Sequence, residues 1–235
     1  MPPHAFLGSY LAQALLSLSA MVLLSRLALR PMVVAAGEPA RTLREIVAQP
    51  ALRAAVAGAA VGYAVMIMAM TATPLAMLGC GFGTGEIKPV IQWHVFAMFA
   101  PSFVTGSLVA RFGAPRIMQA GFLLLIGHVL IAASGLEYLH FLSALVLLGV
   151  GWNFAFVGGT ALLTQSYRAS EQTKVQALNE GLVFGAVAVA SLGAGWLYDR
   201  FGWATLNLAV LPLLIFALLW TRAIGQRGPV LAATA

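Results

Sequence analysis

The chain has 235 residues, of which 61% are hydrophobic and only 9% charged, with a mean hydropathy of +0.92. A soluble domain carries about 25% charged residues, so there is too little charge here to cover a water-facing surface, and the composition defines an integral membrane protein. The formal net charge of +6 does not point to nucleic acid, because the bases stand scattered at the ends of apolar runs and form no stripe.

A membrane-crossing helix needs about 20 mostly apolar residues. Seven runs meet that length: 6–28, 54–79, 89–110, 117–135, 139–164, 175–198 and 204–222. The first is too long for a signal peptide. Its arginines, Arg26 and Arg30, follow the apolar stretch instead of preceding it. The one sizeable gap holds Glu38 to Gln49, in which Leu43, Ile46 and Val47 fall on one helical face. It reads equally as a short helix lying at the membrane interface or as a charged linker. The remaining gaps are short and hold glycine, proline and most of the charge.

Alternating the seven spans sorts the basic residues by side. Arg26, Arg30, Arg41, Arg44, Arg53, Arg111, Arg116, Arg168, Lys174, Arg222 and Arg227 fall on one face, and only Lys88 and Arg200 on the other. Lysine and arginine collect on the cytoplasmic side, which predicts an outside N-terminus and a cytoplasmic C-terminus in a bacterial inner membrane. Arginine outnumbers lysine 11 to 2 in an Ala- and Gly-rich chain, a bias typical of GC-rich bacterial genomes. The single cysteine, Cys80, excludes an internal disulfide and a Cys-based metal site.

One short pattern occurs twice. GSLVARFGAPR runs from Gly106 to Arg116 and closes the third span, and GWLYDRFGW runs from Gly195 to Trp203 and closes the sixth. The two copies end on opposite faces, as inverted three-helix repeats require. Spans 2–4 would match spans 5–7 upside down, pairing Gly106 with Gly195, Arg111 with Arg200 and Gly113 with Gly202. Within the turn, Gly106 lets helices approach, Arg111 can reach headgroups or a helix C-terminus, and Gly113 and Pro115 suit a tight turn opening a helix.

GSLVARFGAPR resembles the short loop motif of the major facilitator superfamily, Gly-x-x-x-Asp-Arg-x-Gly-x-x-Arg. Here Ala110 replaces the acid, whereas Asp199 and Arg200 are both present in the second copy. The matching positions are Gly106, Arg111, Gly113 and Arg116, then Gly195, Asp199, Arg200 and Gly202. GWNFAFVGGTALLTQSY and VQALNEGLVFGAVAVASLGAGWLYDRFGW are similar to the family's tenth to twelfth helices, and MTATPLAM to its seventh. The resemblance implies an all-α membrane protein in which residues 1–29 hold the family's sixth helix and 30–53 a cytoplasmic linker. Residues 54–222 would then form a six-helix C-terminal bundle of two inverted three-helix repeats, and 223–235 a cytoplasmic tail. It also implies a missing N-terminal half, supplied by another chain or by a second copy, and so an incomplete or split transporter.

Polar groups inside a bilayer are costly, so each marks a site to consider. Asn153 lies mid-span, with Thr160 and Thr164 following at helical spacing. His94 shares a face with Met98, Pro101 and Thr105, with Gln92 nearby, and Tyr63, Thr71 and Thr73 are the polar members of the second span. Asn153, His94, Gln92, Tyr63 and Thr160 are the expected solute contacts. Each also has a plainer role: threonines bond to their own helix, Asn153 joins helices, and His128 packs between them. Gln176, Asn179 and Glu180 cluster at the inner end of the sixth span beside Arg168 and Lys174, an expected gating or coupling group. Glu180 reads either as a proton carrier or, given the neighbouring bases, as a latch paired with Arg168, Lys174 or Arg111.

The expected function is secondary transport of a small solute by rocking of two bundles. The proton is a candidate coupling ion, and lipid surrounds the chain. No nucleotide-binding motif, cofactor motif, metal constellation or hydrolytic triad occurs, so no enzyme activity is expected. A seven-helix receptor or an accessory membrane subunit is the alternative. A retinal protein is excluded, because Lys88 and Lys174 both stand at span ends.

Overall fold

The computed structural model describes residues 7–27 and 40–225. Residues 30–39 of the expected linker, with Arg30, and 226–235 of the expected tail, with Arg227, lie outside the described residues. Two units are distinguished, Met1–Glu38 and Pro39–Ala235. In the first, α1 (Leu7–Arg26) is a 20-residue apolar helix with no buried residue, about 30 Å long and enough to cross hydrocarbon.

The second unit opens with α2 (Leu43–Ala48). Its N-terminus is fixed by a capping box: Glu45 N–H donates to Thr42 Oγ1 at 3.3 Å, and Thr42 N–H donates to Glu45 Oε2 at 2.7 Å. The stretch read as an interfacial helix or a linker is therefore helical over six residues. Leu43 remains exposed, but Ile46 is fully buried against Leu52, Ala55, Leu163 and Val175, so α2 docks on the bundle.

The bundle follows as α3 (Pro50–Gly79), α4 (Thr84–Phe99), α5 (Ser102–Phe112), α6 (Ala114–Ser134), α7 (Tyr138–Thr164), α8 (Gln172–Ala209) and α9 (Leu211–Gly225), with a 3₁₀ turn at Ala169–Glu171 before α8. Prolines place several boundaries. Pro50 opens α3, where a missing N–H has no consequence. Pro101 cannot donate to Ala97, and the third run breaks there into α4 and α5. Gly202 divides α8, because φ 76° and ψ 177° are not helical. Apart from α1, the lengths apolar enough to cross a membrane are α3, the α4–α5 pair, α6, α7 and the 169–223 stretch. Gly202 splits that last stretch into 172–201 and 203–225, which accommodates the sixth and seventh expected spans.

α7 is central and packs against α3, α4 and α6, while α9 packs on α6 and α3. Small residues permit this. A Cβ on Gly121 of α6 would fall on the backbone of Ala155 and 2.7 Å from the Gly151 carbonyl oxygen, so α6 and α7 meet backbone to backbone. The main core runs from Val65 and Met77 through Phe122, Leu125, Phe141 and Leu148 to Trp203 and Leu214.

Candidate functional site

Asn153 occupies the gap that Pro101 creates. It is 1% exposed, and its Nδ2 donates at 2.7 Å to the Met98 carbonyl and at 2.7 Å to Ser102 Oγ. The Thr105 hydroxyl lies 2.7 Å from Asn153 Oδ1 and 2.8 Å from the Pro101 carbonyl. Both amide hydrogens and the amide oxygen are thus engaged by the two pieces of one broken helix. A backbone break at membrane depth needs such a partner, and α7 supplies it.

Two histidines are tied to α7 in a similar way. His94 Nδ1 is 2.8 Å from the Leu145 carbonyl oxygen, and His128 Nδ1 is 2.9 Å from that of Ala144. A carbonyl only accepts, so both rings carry their hydrogen on Nδ1. Both are fully buried, and both Nε2 atoms lack a hydrogen-bond partner. Of the other expected solute contacts, Gln92 and Thr160 are exposed and Tyr63 is half-buried.

Tyr63 belongs to a group of five rings drawn from four helices. Trp152 and Phe156, one turn apart on α7, stack with centroids 5.1 Å apart and planes 10° from parallel. Tyr63 of α3 meets both edge-on, at 5.4 Å and 5.7 Å. Phe184 of α8 lies 6.2 Å from Tyr63, and Phe99 of α4 lies 6.3 Å from Trp152. These separations are typical of attractive ring pairs. The sequence reading singled out Tyr63 alone. The i, i+4 spacing of Trp152 and Phe156 was the available signal for the rest.

The expected gating group sits at the start of α8. Gln176 donates to the Tyr167 hydroxyl at 2.9 Å, and Asn179 Nδ2 is 3.4 Å from Glu180 Oε1. Glu180 and Lys174 are exposed, and Arg168 is half-buried. The ion pair of this region is formed by Glu171, whose side chain is fully buried, with Arg41 from the segment before α2. Arg41 grips the carboxylate three ways: Nε to Oε1 at 2.8 Å, Nη2 to Oε2 at 2.7 Å, and its own backbone N–H to Oε1 at 3.0 Å. The Arg168 N–H adds a fourth bond at 3.0 Å to Oε2. The Arg41 side chain and these backbone donors hold the Glu171 carboxyl well below its ordinary range, at about 2. The sequence reads Glu180 as either a proton carrier or a latch and gives no sign of this pair, whose members stand 130 residues apart.

The two loop-motif turns are alike in detail. Gly113 (φ 87°, ψ 147°) and Gly202 (φ 76°, ψ 177°) both follow an Arg-Phe pair. Arg111, Arg116, Asp199 and Arg200 are exposed, Gly106 is exposed and Gly195 half-buried, and the Arg111 guanidinium lies 5.2 Å over the ring of Phe112.

A bundle of long apolar helices, broken at polar contacts and carrying two matching glycine turns, defines a polytopic membrane protein. Residues 88–233 match the Major Facilitator Superfamily, and the chain belongs to that family. It is similar to the riboflavin transporter RfnT of Brucella anthropi, with 41% identity over 220 residues, covering 92% of this chain and 55% of that protein. It is also similar to two Bacillus subtilis MFS-type transporters that are uncharacterized, YdeG (35% identity, 67% of this chain, 38% of that protein) and YddS (36%, 67% and 39%). The chain therefore spans about half the length, or less, of these relatives.

Proposed function

We propose that this chain forms the C-terminal bundle of a secondary transporter that moves a small solute across the bacterial inner membrane by alternating access. The observation that carries this is the 41% identity to a riboflavin transporter over 92% of the chain, joined to a fold with two matching glycine turns. Riboflavin, or a solute close to it, is the substrate this relationship favours. The solute path is completed by a second bundle, from the same polypeptide, another chain or a second copy. The concentration of basic residues on one face supports a cytoplasmic C-terminus and, with it, an outside position for Cys80, which is exposed. Gln176, Asn179 and Glu180, with Arg168 and Lys174, would act at the inner gate, with the proton as the candidate coupling ion.

The test is an exchange of halves. Residues 40–225 replace the matching segment of the Brucella riboflavin transporter, and uptake of labelled riboflavin is measured in cells that cannot otherwise take it up. Uptake above that of cells lacking the chimera supports the reading. A chimera that reaches the membrane at the parent's level but takes up no riboflavin contradicts it.

A further inference from the structure

We infer that the ring group of Tyr63, Phe99, Trp152, Phe156 and Phe184 is a binding surface for the flat conjugated heterocycle of the transported solute. The inference rests on the transport reading above and names the part of the path that holds the ring.

Three observations separate this group from ordinary core packing. First, it is not closed over: Phe99 is 59% exposed and Phe184 53% exposed, while Trp152 at 6% forms the floor. Second, the floor carries an unmet donor. Trp152 Nε1 is buried and has no hydrogen-bond partner, an arrangement that costs about 1–3 kcal/mol when nothing accepts the bond. A heterocycle with ring nitrogens and carbonyls brings acceptors, whereas a lipid chain brings none.

Third, Phe184 stands on a face of α8 unlike a lipid face. At 100° per residue, Glu180, Phe184, Ala188 and Ser191 lie within about 40° of one direction on α8, and all four are exposed. Leu182, Val189 and Trp196, 51%, 74% and 64% exposed, project from the other side. Bulky apolar groups suit hydrocarbon, while a carboxylate and a hydroxyl beside small residues suit a wetted path or a facing helix. On α7, Thr160 continues the Trp152–Phe156 row by one more turn and is exposed. At Phe184 and Thr160 the ring group thus opens onto a polar side of α7 and α8, where a planar solute can stack on aromatic faces while its edges meet hydroxyl, carboxylate and indole N–H groups.

The test uses the full chain in lipid nanodiscs with three probes: riboflavin, lumichrome, which is the bare tricyclic ring, and ribitol, which is the side chain without a ring. Flavin emission is quenched when the ring stacks on tryptophan or tyrosine. Riboflavin and lumichrome are expected to show saturable quenching that ribitol does not compete away. Phe184→Leu and Phe156→Leu are each expected to weaken binding roughly tenfold, the equivalent of one stacking contact. Phe184 is more than half exposed, so its loss leaves the melting temperature unchanged and separates binding from folding. Trp152→Phe keeps the stack but removes the donor, and is expected to weaken both probes.

Absence of saturable quenching, equal competition by ribitol, or unchanged affinity in both phenylalanine variants would overturn the inference. The transport reading fails differently: quenching would be present and the exchanged-half chimera silent. If the inference alone fails, the chimera still takes up riboflavin and the ring variants do not alter that uptake.

Discussion

Gly113 and Gly202, 89 residues apart, hold the same kind of non-helical backbone, φ 87° with ψ 147° and φ 76° with ψ 177°. That region is nearly closed to any residue with a Cβ. Gly113→Ala and Gly202→Ala are therefore each expected to destabilise the bundle by about 1–3 kcal/mol. Gly106 and Gly195 open the same two motif copies, but a Cβ on either meets nothing within 4 Å. Gly106→Ala and Gly195→Ala should leave the thermal melt unchanged or raise it slightly. Melting of the four variants in detergent checks the contrast, and equal losses in all four would refute it.

Asn153 and Pro101 should behave as a coupled pair. Asn153→Leu leaves the Met98 carbonyl and the Thr105 hydroxyl without their cross-helix partner, at a cost of about 1–3 kcal/mol. In a Pro101→Ala background the helix can restore its own hydrogen bonds, and the same Asn153 substitution should cost less. A double-mutant cycle reads this coupling directly. Additive effects would show that the asparagine does not serve the break.

The Arg41–Glu171 pair sets a pH dependence. The Glu171 carboxyl titrates at about 2 in the fold, against an ordinary 4.5. A lowered folded value means that its stabilisation is fully present above about pH 4.5 and is lost as pH falls from there towards about 2. Resistance to denaturation should decline across that window. Glu171→Gln should flatten this decline and lower stability near neutrality by about 2 kcal/mol. Parallel pH profiles for the two proteins would contradict this assignment.

Cys80 follows the last residue of α3 and is exposed. With the basic face in the cytoplasm, a membrane-impermeant thiol reagent added to intact cells is expected to label it. Labelling that appears only after lysis would reverse the topology.

Much of the fold is legible because a bilayer imposes one strong rule, a long apolar run for every crossing. The double occurrence of Arg-Phe-Gly marked Gly113 and Gly202 as turn residues before their backbone angles were known. What stays hidden is pairing at a distance. Pro101 warns of a broken helix, but nothing local says that Asn153, 52 positions on, repairs it. Arg41 and Glu171 look like any loop charges, and Glu180 drew attention because it stands inside an apolar run. The rings were harder still: in a chain that is 61% hydrophobic, Phe99 and Phe184 carry no contrast with their neighbours, and only folding brings them beside Trp152.

The most direct measurement of the central claim is counterflow in liposomes. The chimera bearing residues 40–225 is reconstituted, the vesicles are loaded with unlabelled riboflavin, and they are diluted into a trace of labelled riboflavin. Alternating access predicts a transient accumulation of label above the outside concentration, because outward-moving unlabelled solute returns the binding site to the outside. A steady approach to equal concentrations, or no entry of label where the parent transporter shows the overshoot, would contradict a carrier built on this bundle.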